Sequence, residues 1–390
     1  MRRVALALML AAGVAASGLG SAGAGPSRAT AHGPAVAVGY EFACGLATNG
    51  LVKCWGSNRD GDLGAGAPIQ SSVPVAVKGI SNAIAISAAE ATCALLATGV
   101  VKCWGSNLNG VRGDGTTTAA ATPTAVTGIT TAVAISVSDH ACALLQDGTV
   151  ECWGDNSKGE LGSGTTSPYS SVPVAVPGLT NVVAISTGSQ LSCAVLADGT
   201  ARCWGRDSNG ALGTGGPALG KSAVPLPVKG ITGAVKITTG GLSTCALLVN
   251  GNIKCWGSNL SGELGNGTTN YGRLPGPILV KKVAKAVSIA MGEDGCAALA
   301  DGTAKCWGEN YFGTLGTARP TDGPHTAAVV PRLTHVVSVA MNVESACALL
   351  ANGSAHCWGT NNYGQLGNGT TSTEVSKPVL VKGLSLGTHA

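Results

Sequence analysis

The fourteen cysteines of this chain carry its most definite chemistry, because they form seven pairs with nine residues between the partners. The pairs are Cys44 and Cys54, Cys93 and Cys103, Cys142 and Cys152, Cys193 and Cys203, Cys245 and Cys255, Cys296 and Cys306, and Cys347 and Cys357. An even number in matched pairs favours disulfide bonds. Reduced core cysteines or a metal site are the alternatives, but no histidine recurs beside the pairs and the spacing is not a usual zinc pattern.

Each pair encloses a segment typical of a β-hairpin, such as CALLQDGTVEC at residues 142–152. Its centre, Gln146-Asp147-Gly148, predicts a three-residue loop whose last position needs positive φ and therefore glycine. Counting outward puts Cys142 opposite Cys152 in a pair without backbone hydrogen bonds, where Cα atoms lie roughly 4.5 Å apart. We therefore predict a cross-strand disulfide within every hairpin.

A tryptophan follows the second cysteine of every pair, and these seven are all the tryptophans of the chain. They are Trp55, Trp104, Trp153, Trp204, Trp256, Trp307 and Trp358. In the third hairpin the indole lies near Ala141 and Ala143, whose small side chains leave room for it. The pattern favours tryptophan packing between neighbouring sheets, and stacking on a ligand is the alternative.

A second recurring position has mostly acidic residues. Three residues before the first cysteine stand Glu41, Glu90, Asp139, Gln190, Leu242, Glu293 and Glu344. Because this position falls in the turn that enters the hairpin, we expect all seven side chains at one end of the molecule. The polar members form a candidate binding face for a basic partner or a cation. The alternative is that short turns simply favour solvated polar residues.

The chain shows no grouping typical of catalysis. Its six histidines occupy unrelated repeat positions, so they predict no nucleophile and base pair; they are His32, His140, His325, His335, His356 and His389. No phosphate loop, G-x-S-x-G or H-E-x-x-H motif occurs. The stretch NRDGDLG, residues 58–64, resembles a calcium loop but lacks its glycine at the sixth position and its closing glutamate. We therefore expect no enzyme, no cofactor and no metal site.

The surrounding segments indicate which elements position these residues. Each hairpin follows a short alternating run such as AIAIS, and that run follows a strand-like piece such as VPVAV. Four short strands recurring every 49 to 52 residues, with no helical period, predict an all-β fold, a seven-bladed β-propeller of four-stranded antiparallel blades. We expect the longer glycine-rich link to pass between blades. The closing blade would then be shared by N- and C-terminal strands, with 378–381 joining the N-terminal strands.

The first residues resemble a signal peptide, with Arg2 and Arg3 before the apolar stretch VALALMLAAGVAA. We expect residues 1–31 to be removed, by cleavage after Ala24 or Ala31, and residues 32–390 to form a single propeller domain. Removal takes away three arginines and no acid, leaving 21 basic and 20 acidic side chains. The rest of the chain holds no basic stripe and no further apolar span, so we expect a secreted, extracellular protein with no nucleic-acid partner and no membrane span.

The stretches CWGTNNYGQLGNGTT (357–371) and CWGSNLSGELGNGTT (255–269) resemble the regulator-of-chromosome-condensation repeat. The resemblance covers roughly residues 36–384 and implies a β-propeller. The second, fourth and sixth repeats depart from the motif, with GVRGDG, GALG and GTLG, which we expect to change loops and not the blade count. Nuclear members of the family are similar to exchange factors for the Ran GTPase and bind chromatin. Other relatives are secreted bacterial propellers, including inhibitors that clamp β-lactamases.

These observations predict a secreted, non-enzymatic interaction module, a monomer that binds a protein or a cell-surface polymer on one end face. The alternatives are an enzyme acting at the central cavity, or, by family resemblance, exchange-factor-like or β-lactamase-inhibitor-like activity. A ring of like residues suits a binding surface, whereas catalysis needs unlike groups converging in one place.

Overall fold

A computed structural model describes residues 33–66, 69–165, 167–317 and 326–388, and within these ranges the strands form seven sheets. The signal-peptide interpretation of residues 1–31 lies outside the described residues. Each sheet has four antiparallel strands, and the seven sheets form a ring. The predicted seven-bladed β-propeller is confirmed.

The strands are numbered in chain order, four to a blade. Blade 1 contains β1 to β4, Ala35–Val38, Phe42–Leu46, Val52–Ser57 and Gln70–Ala76. Blade 2 contains β5 to β8, Ala83–Ala88, Ala91–Leu96, Val101–Gly105 and Ala120–Ala125. Blade 3 contains β9 to β12, Ala132–Val137, His140–Leu145, Val150–Asp155 and Tyr169–Ala175. Blade 4 contains β13 to β16, Val182–Thr187, Leu191–Leu196, Ala201–Asp207 and Gly220–Pro227.

The remaining blades repeat the pattern. Blade 5 contains β17 to β20, Ala234–Thr239, Ser243–Leu248, Ile253–Asn259 and Asn270–Leu279. Blade 6 contains β21 to β24, Ala286–Met291, Gly295–Leu299, Ala304–Trp307 and Ala328–Val329. Blade 7 contains β25 to β28, Val336–Met341, Ser345–Leu350, Ala355–Asn361 and Ser372–Leu380. Two short 3₁₀ turns, Leu108–Gly110 and Ser208–Gly210, are the helical segments of the described residues.

The hairpins fold as predicted. In blade 3, Cys142 pairs directly with Cys152, and the amides of Leu145 and Gly148 close the three-residue loop. Gly148 adopts a φ of 80°, which explains the glycine at this position. All seven cross-strand disulfides are present, with Cα atoms 4.0 to 4.1 Å apart. The predicted pairing is confirmed.

The predicted closing blade is wrong. Every sheet follows chain order, β1-β2-β3-β4 in blade 1 and β25-β26-β27-β28 in blade 7, so no blade mixes the two ends of the chain. The strand that includes Pro378 pairs with β27, where Val379 lies opposite Cys357. The AIAIS-type strand is innermost and the proline-containing strand is outermost. Proline suits that outer edge, because it cannot donate a hydrogen bond to a further strand.

The short link, and not the long one, passes between blades, contrary to the prediction. The short link of residues 77–82 runs from the outer strand of one blade to the inner strand of the next. Six extended residues span roughly 20 Å, enough to cross the roughly 14 Å of three strand spacings. This connector also contributes to the hydrophobic core, because the side chains of Val77 and Ile80 are buried against blade 2. The long glycine-rich link stays within its blade, where it joins the third strand to the fourth.

The long link is long because it covers the neighbouring blade. Each tryptophan indole N–H donates to a backbone carbonyl in the long loop of the preceding blade, over 2.7 to 2.9 Å. In blade 2, for example, Trp104 donates to the carbonyl of Asp62. All seven tryptophans are at most 1% exposed. Tryptophan packing between sheets is thereby confirmed, and each core cluster combines the disulfide side of one blade with the tryptophan of the next.

The ring closes through the C-terminal tail. Trp55 of blade 1 donates to the carbonyl of Gln365 in blade 7, as every other blade pair does. Leu384 and Leu386 pack in one cluster with Val38 and Trp55. The amide of Thr48 donates to the carbonyl of Leu386 over 2.8 Å. The tail thus packs between blades 7 and 1 in the place that a connector occupies between the other blades. No helix in the described ranges is long and apolar enough to span a membrane.

Candidate docking face

The two ends of the propeller differ in the segments that form them. The upper face consists of the turns between first and second strands and of the long loops between third and fourth strands. The lower face consists of the hairpin loops and the connectors between blades. All seven predicted ring positions lie in the upper-face turns, close to the central axis. The carbonyl of Glu41 accepts from the amide of Ser57 over 2.8 Å, and that of Glu344 from Thr360 over 2.9 Å, so these turns are held against the third strands.

Four of the acids form a continuous acidic arc through blades 7, 1, 2 and 3. The arc consists of Glu344, Glu41, Glu90 and Asp139. Partial burial raises the pKa of Glu344, and the negative charge of Glu41 raises it further. Burial, Asp60 and Glu41 together raise the pKa of Glu90. Burial followed by the charges of Glu90, Asp155 and Glu160 raises the pKa of Asp139 to about 7. The arc is therefore a set of like charges within electrostatic reach of one another.

The ring is not continuous beyond the arc. In blade 4, Gln190 accepts a hydrogen bond from Arg206 over 2.5 Å, which puts a cation at this part of the face. Leu242 supplies an apolar residue in blade 5. Glu293 in blade 6 has a pKa raised by burial and then by Glu309 and Glu263, acids of the long loops. The structure thus groups four of the predicted residues and leaves Gln190 and Glu293 outside that group.

The long loops add acids that the repeat pattern did not reveal. Asp60 contributes to the raised pKa of Glu90, and Asp155 and Glu160 contribute to that of Asp139. The signal was present in the loop sequences of the first and third repeats, NRDGDLG and DNSKGELG, which hold more acids than the others. The sequence alone does not place these acids beside the arc, because their proximity to it depends on the path of the loop.

A recurring hydrogen bond holds the first part of each long loop in place, within the described residues. The side-chain oxygen of Asn58 accepts the amide of Leu63 over 2.9 Å, and an asparagine or aspartate does the same in every blade. Asp62, part of the calcium-like stretch, accepts the amides of Asp60 and Ser106, and burial is the main reason that its pKa rises to about 6. Its carboxylate therefore braces the loop. The described residues contain no group of three or more His, Cys, Asp or Glu side chains arranged to hold a metal ion.

The second repeat shows how a departure from the motif is accommodated. Arg112 replaces leucine and is only 3% exposed. Its guanidinium pairs with Asp114 over 2.5 Å and donates to the carbonyl of Thr118 and the hydroxyl of Thr124, each over 2.6 Å. Burial alone would raise the pKa of Asp114, but bonds from Thr116 and the charge of Arg112 lower it. The loop changes while the blade keeps its four strands, as expected.

A cationic and aromatic patch lies beside the acidic arc at blade 1. Arg59 lies 3.5 Å from the carboxylate of Glu41, contacts the hydroxyl of Tyr363, and has its guanidinium carbon 4.5 Å from the centre of that ring. Beside it is a groove of about 340 Å³ whose lining includes Glu41, Glu90 and Glu344. Arg59 is 56% exposed, so the salt bridge contributes little to stability and can be exchanged for a contact with a partner.

Exposed apolar side chains lie on the same face, in the long loops of other blades. Leu108 is 68% exposed, Leu260 is 46% exposed and Tyr311 is 65% exposed. Tyr311 also packs edge-on against Phe312, with ring centres 4.8 Å apart. Apolar and aromatic side chains on polar surfaces are typical of protein interfaces. All three stand four residues after the tryptophan of their blade, the position that Arg59 holds in blade 1. Sequence reasoning missed them because the residue type at this position varies between blades.

One histidine and serine contact has no access to solvent. The Nε2 atom of His140 lies 2.5 Å from the hydroxyl of Ser192, and this hydroxyl donates to the carbonyl of Glu160. Both side chains are at most 1% exposed, and burial lowers the pKa of His140 to about 3. The contact links blades 3 and 4 inside the core, where no substrate can reach it.

Comparisons with known proteins agree with this architecture. Two models of the regulator of chromosome condensation (RCC1) repeat match the chain, one at residues 49–96, 147–195 and 352–387. The other matches residues 35–62, 131–160, 182–211, 234–263 and 336–365. Together these matches cover more than half of the sequence. The chain belongs to the RCC1 repeat family.

Within the RCC1 family, curated relatives share part of the chain. The human E3 ubiquitin-protein ligase HERC2 is 30% identical over 205 residues, which cover 48% of this chain and 4% of that protein. The ultraviolet-B receptor UVR8 of Arabidopsis thaliana is 30% identical over 196 residues, covering 48% of this chain and 43% of the receptor. This chain therefore spans less than half the length of either relative.

Solved RCC1-type structures share the fold. Yeast RCC1 (Prp20) bound to Kap60 superposes with a TM-score of 0.76 at 22% identity, covering 86% of this chain and 85% of the other. Human WBSCR16 superposes with a TM-score of 0.59 at 18% identity, covering 91% and 83%. Identities this low establish the propeller fold alone.

Proposed function

We propose that this RCC1-family propeller is an extracellular, non-enzymatic binding module whose upper face docks a basic protein. The observation that carries the proposal is the acidic arc, where burial and the charges of neighbouring acids raise the pKa values of Glu90, Asp139 and Glu344. Charges that repel one another in the free protein favour a partner that brings positive charge.

The neighbouring groups support a protein as the partner. Arg59 and Tyr363 lie beside the arc, and Leu108, Leu260 and Tyr311 present apolar surface on the same face. A charged surface with a few aromatic and aliphatic anchors is typical of protein recognition and less suited to a uniform polymer. Fold relatives also bind proteins: yeast RCC1 has been crystallised with Kap60, and Prp20p has been described binding Gsp1p and histones.

The disulfides support an extracellular site of action. Seven disulfides suggest an oxidising compartment, because cytosolic thiols are kept reduced. The N-terminal leader-like segment agrees with secretion after cleavage following Ala24 or Ala31, and we propose that the secreted protein is a monomer. Expression in the native host should then yield extracellular protein beginning at residue 25 or 32, as measured by N-terminal sequencing. Protein retained in the cell with residue 1 intact would contradict this part of the proposal.

The docking proposal is tested with charge variants of equal size on the two faces. Glu90→Gln with Asp139→Asn removes two charges from the arc, and Asp147→Asn with Asp198→Asn removes two from the lower face. Proteins captured from culture supernatant and cell-surface extracts are quantified for the parent and both variants at low and high salt. We expect the upper-face variant to lose partners about tenfold at low salt, and less at high salt, as screening weakens the parent too.

The lower-face variant is the matched control, because its net charge change is the same. We expect it to retain partners as the parent does. Equal retention by the parent and the upper-face variant would contradict a docking role for the arc. Equal loss in both variants would indicate that net charge, and not the upper face, controls association.

A further inference from the structure

The central channel contains a second feature, independent of the upper face. Each innermost strand has a neighbouring blade on both of its faces and the second strand along one edge. Solvent exposure in the middle of such a strand must therefore come from the channel. The seven innermost strands are β1, β5, β9, β13, β17, β21 and β25.

Six of these strands contain a β-bulge at the same place near the lower end. The register skips one residue, for example between Ala234 and Lys236, and between Ala286 and Ser288. The skipped residues are all β-branched: Ile84, Val133, Val183, Val235, Val287 and Val337. Three of them are about half exposed, Val183 at 47%, Val235 at 50% and Val287 at 51%. The other three, Ile84, Val133 and Val337, pack partly against core clusters, so the exposed apolar surface in the lower part of the channel belongs to blades 4, 5 and 6.

In the six bulged strands the residue after the bulge belongs to one layer of the ring, and Ala35 holds the same position in blade 1. Seven residues pair with the position two after the first cysteine of their blades: Ala35, Ala85, Ala134, Ala184, Lys236, Ser288 and Ser338. Lys236 is the single charged residue in all seven innermost strands. Its neighbours in the layer are alanines and serines, so nothing in the layer can neutralise it.

Lys236 is crowded and yet open to the channel. Its side chain keeps exposed surface, while surrounding protein atoms remove enough solvent to lower its pKa through desolvation. The described residues give its ammonium no ion pair and no hydrogen bond. The next strand of the ring, β21, carries the hydroxyl of Ser288, which is buried without a hydrogen-bond partner. A crowded, unpaired ammonium is unfavourable by itself and is stabilised by an anion.

The upper end of the channel is narrow. Tyr40 extends from blade 1 towards blade 4, where its hydroxyl lies 3.3 Å from that of Ser189. The space around Tyr40 is about 90 Å³ and is lined by small residues such as Gly188, Gly240 and Gly292. A molecule entering from the lower face would meet the valines first, then Lys236, and then this constriction.

We propose that the central channel binds a small aliphatic carboxylate, whose anionic group pairs with Lys236 and whose hydrocarbon part contacts Val183, Val235 and Val287. The single amine selects one negative charge, and the lack of any acid in the innermost strands keeps that amine free for it. The bulged valines select an apolar tail. The constriction at Tyr40 limits the length of the ligand.

The test measures binding of hexanoate to the folded, disulfide-bonded protein by calorimetry and ligand-observed NMR. Acetate, hexanol and hexylamine are the comparison probes. We expect hexanoate to bind about tenfold more tightly than hexanol, because a hydrogen bond to a charged group is stronger than a neutral one. It should also exceed acetate by about fourfold for each methylene that contacts valine, and hexylamine should not bind.

Two substitutions assign the contacts. Lys236→Met keeps the length of the side chain and removes its charge, so hexanoate affinity should fall about tenfold or more while the fold is retained or strengthened. Lys221→Met, on the exposed strand β16, is the matched control and should bind as the parent does. Val235→Thr keeps the shape and adds polarity, and should weaken hexanoate about threefold while leaving acetate unchanged.

Several results would overturn the proposal. Equal hexanoate affinity in the parent and Lys236→Met would mean that the ammonium of Lys236 is hydrated in the channel and does not bind the carboxylate. Equal affinity for hexanoate and hexanol in the parent would remove the anion requirement without depending on any variant. Equal affinity for acetate and hexanoate would remove the apolar contact, and no binding of hexanoate at millimolar concentration would refute the site altogether.

Discussion

The carboxylates of the upper and lower faces behave in opposite ways. On the upper face, burial and neighbouring acids raise the pKa values of Glu90, Asp139 and Glu344. On the lower face, hydrogen bonds from a threonine two residues along lower the pKa values of Asp147 and Asp198. The difference arises because Asp147 and Asp198 each close their own hairpin loop, whereas Glu90, Asp139 and Glu344 are partly buried and lie near acids of neighbouring blades.

This contrast separates architecture from recognition. The lower-face acids can be explained by the hairpin alone, since Asp147 accepts both the amide and the hydroxyl of Thr149. The structure gives the carboxylates of Glu90, Asp139 and Glu344 no such bond within the described residues, and their burial, followed by repulsion from neighbouring acids, opposes folding at neutral pH. A cost that the fold does not require points to a role outside the fold, which is why we propose the upper face as the docking surface.

Cutting the tail that closes the ring on the lower face should have the largest effect on stability. Ending the chain after Lys382 removes Leu384 and Leu386, which are 8% and 1% exposed and complete the cluster around Trp55. Losing two buried leucines should lower the free energy of unfolding by about 4 kcal/mol or more, measured by denaturant titration. Size-exclusion chromatography should show association through the opened seam.

A chain ending after Gly387 is the control, because it keeps both leucines and the bond from Thr48 to the carbonyl of Leu386. It should unfold at the same denaturant concentration as the parent. If the two truncated chains are equally stable, the tail is not the closing element, and the bond from Trp55 to Gln365 must hold the seam.

The fold could be predicted because local patterns repeat seven times. The C-x9-C spacing with glycine at the third loop position defines hairpin and register within eleven residues, as at Cys142 and Gly148. The order of the strands could not be predicted in the same way. The length of a link limits the distance that it can span but does not determine which strands it joins. The long loop needs its extra residues to reach the tryptophan of the next blade, as Asp62 reaches Trp104.

The candidate site was predicted in part for a similar reason. Repeat position correctly indicated that the acids share a face, because a turn at one place in every blade must emerge at one end. It could not indicate which acids influence one another's pKa values, because Asp60 and Glu160 approach the arc from long loops whose path the repeat pattern does not define. Lys236 was missed because a lysine at one strand position carries no signal until the channel is defined.

Removing one charge from the arc should stabilise the protein at alkaline pH. The pKa of Asp139 is raised from 3.8 to about 7, so the folded state binds this proton more tightly than the unfolded chain does. Stability therefore falls as pH rises from about 4 through about 7, and the full penalty is present above that range. Asp139→Asn should raise the free energy of unfolding by about 1–2 kcal/mol at pH 8, with the difference vanishing near pH 4.

Denaturant titrations of the parent and Asp139→Asn at pH 8, pH 6 and pH 4 provide the measurement. Glu90→Gln should show the same direction, because Glu90 contributes to the shift at Asp139. A variant that is less stable than the parent at pH 8 would show that the carboxylate makes a favourable contact, and the repulsion argument for the arc would be wrong.

The smallest effect is expected for the same substitution on the lower face. Asp147→Asn keeps a side-chain oxygen for the amide of Thr149, and the chain itself uses asparagine in this place, where Asn352 accepts the amide of Ser354 over 3.0 Å. Because hydrogen bonds from Thr149 lower the pKa of Asp147, its ionised form contributes stability above about pH 4 that is lost in acid. The variant should therefore be equal to the parent or less stable by up to about 0.5 kcal/mol at pH 8, and equal to it in acid. The expected change in the free energy of unfolding at pH 8 is therefore opposite in sign to the one expected for Asp139→Asn. If both variants gain the same stability at pH 8, net charge explains both, and the distinction between the two faces fails.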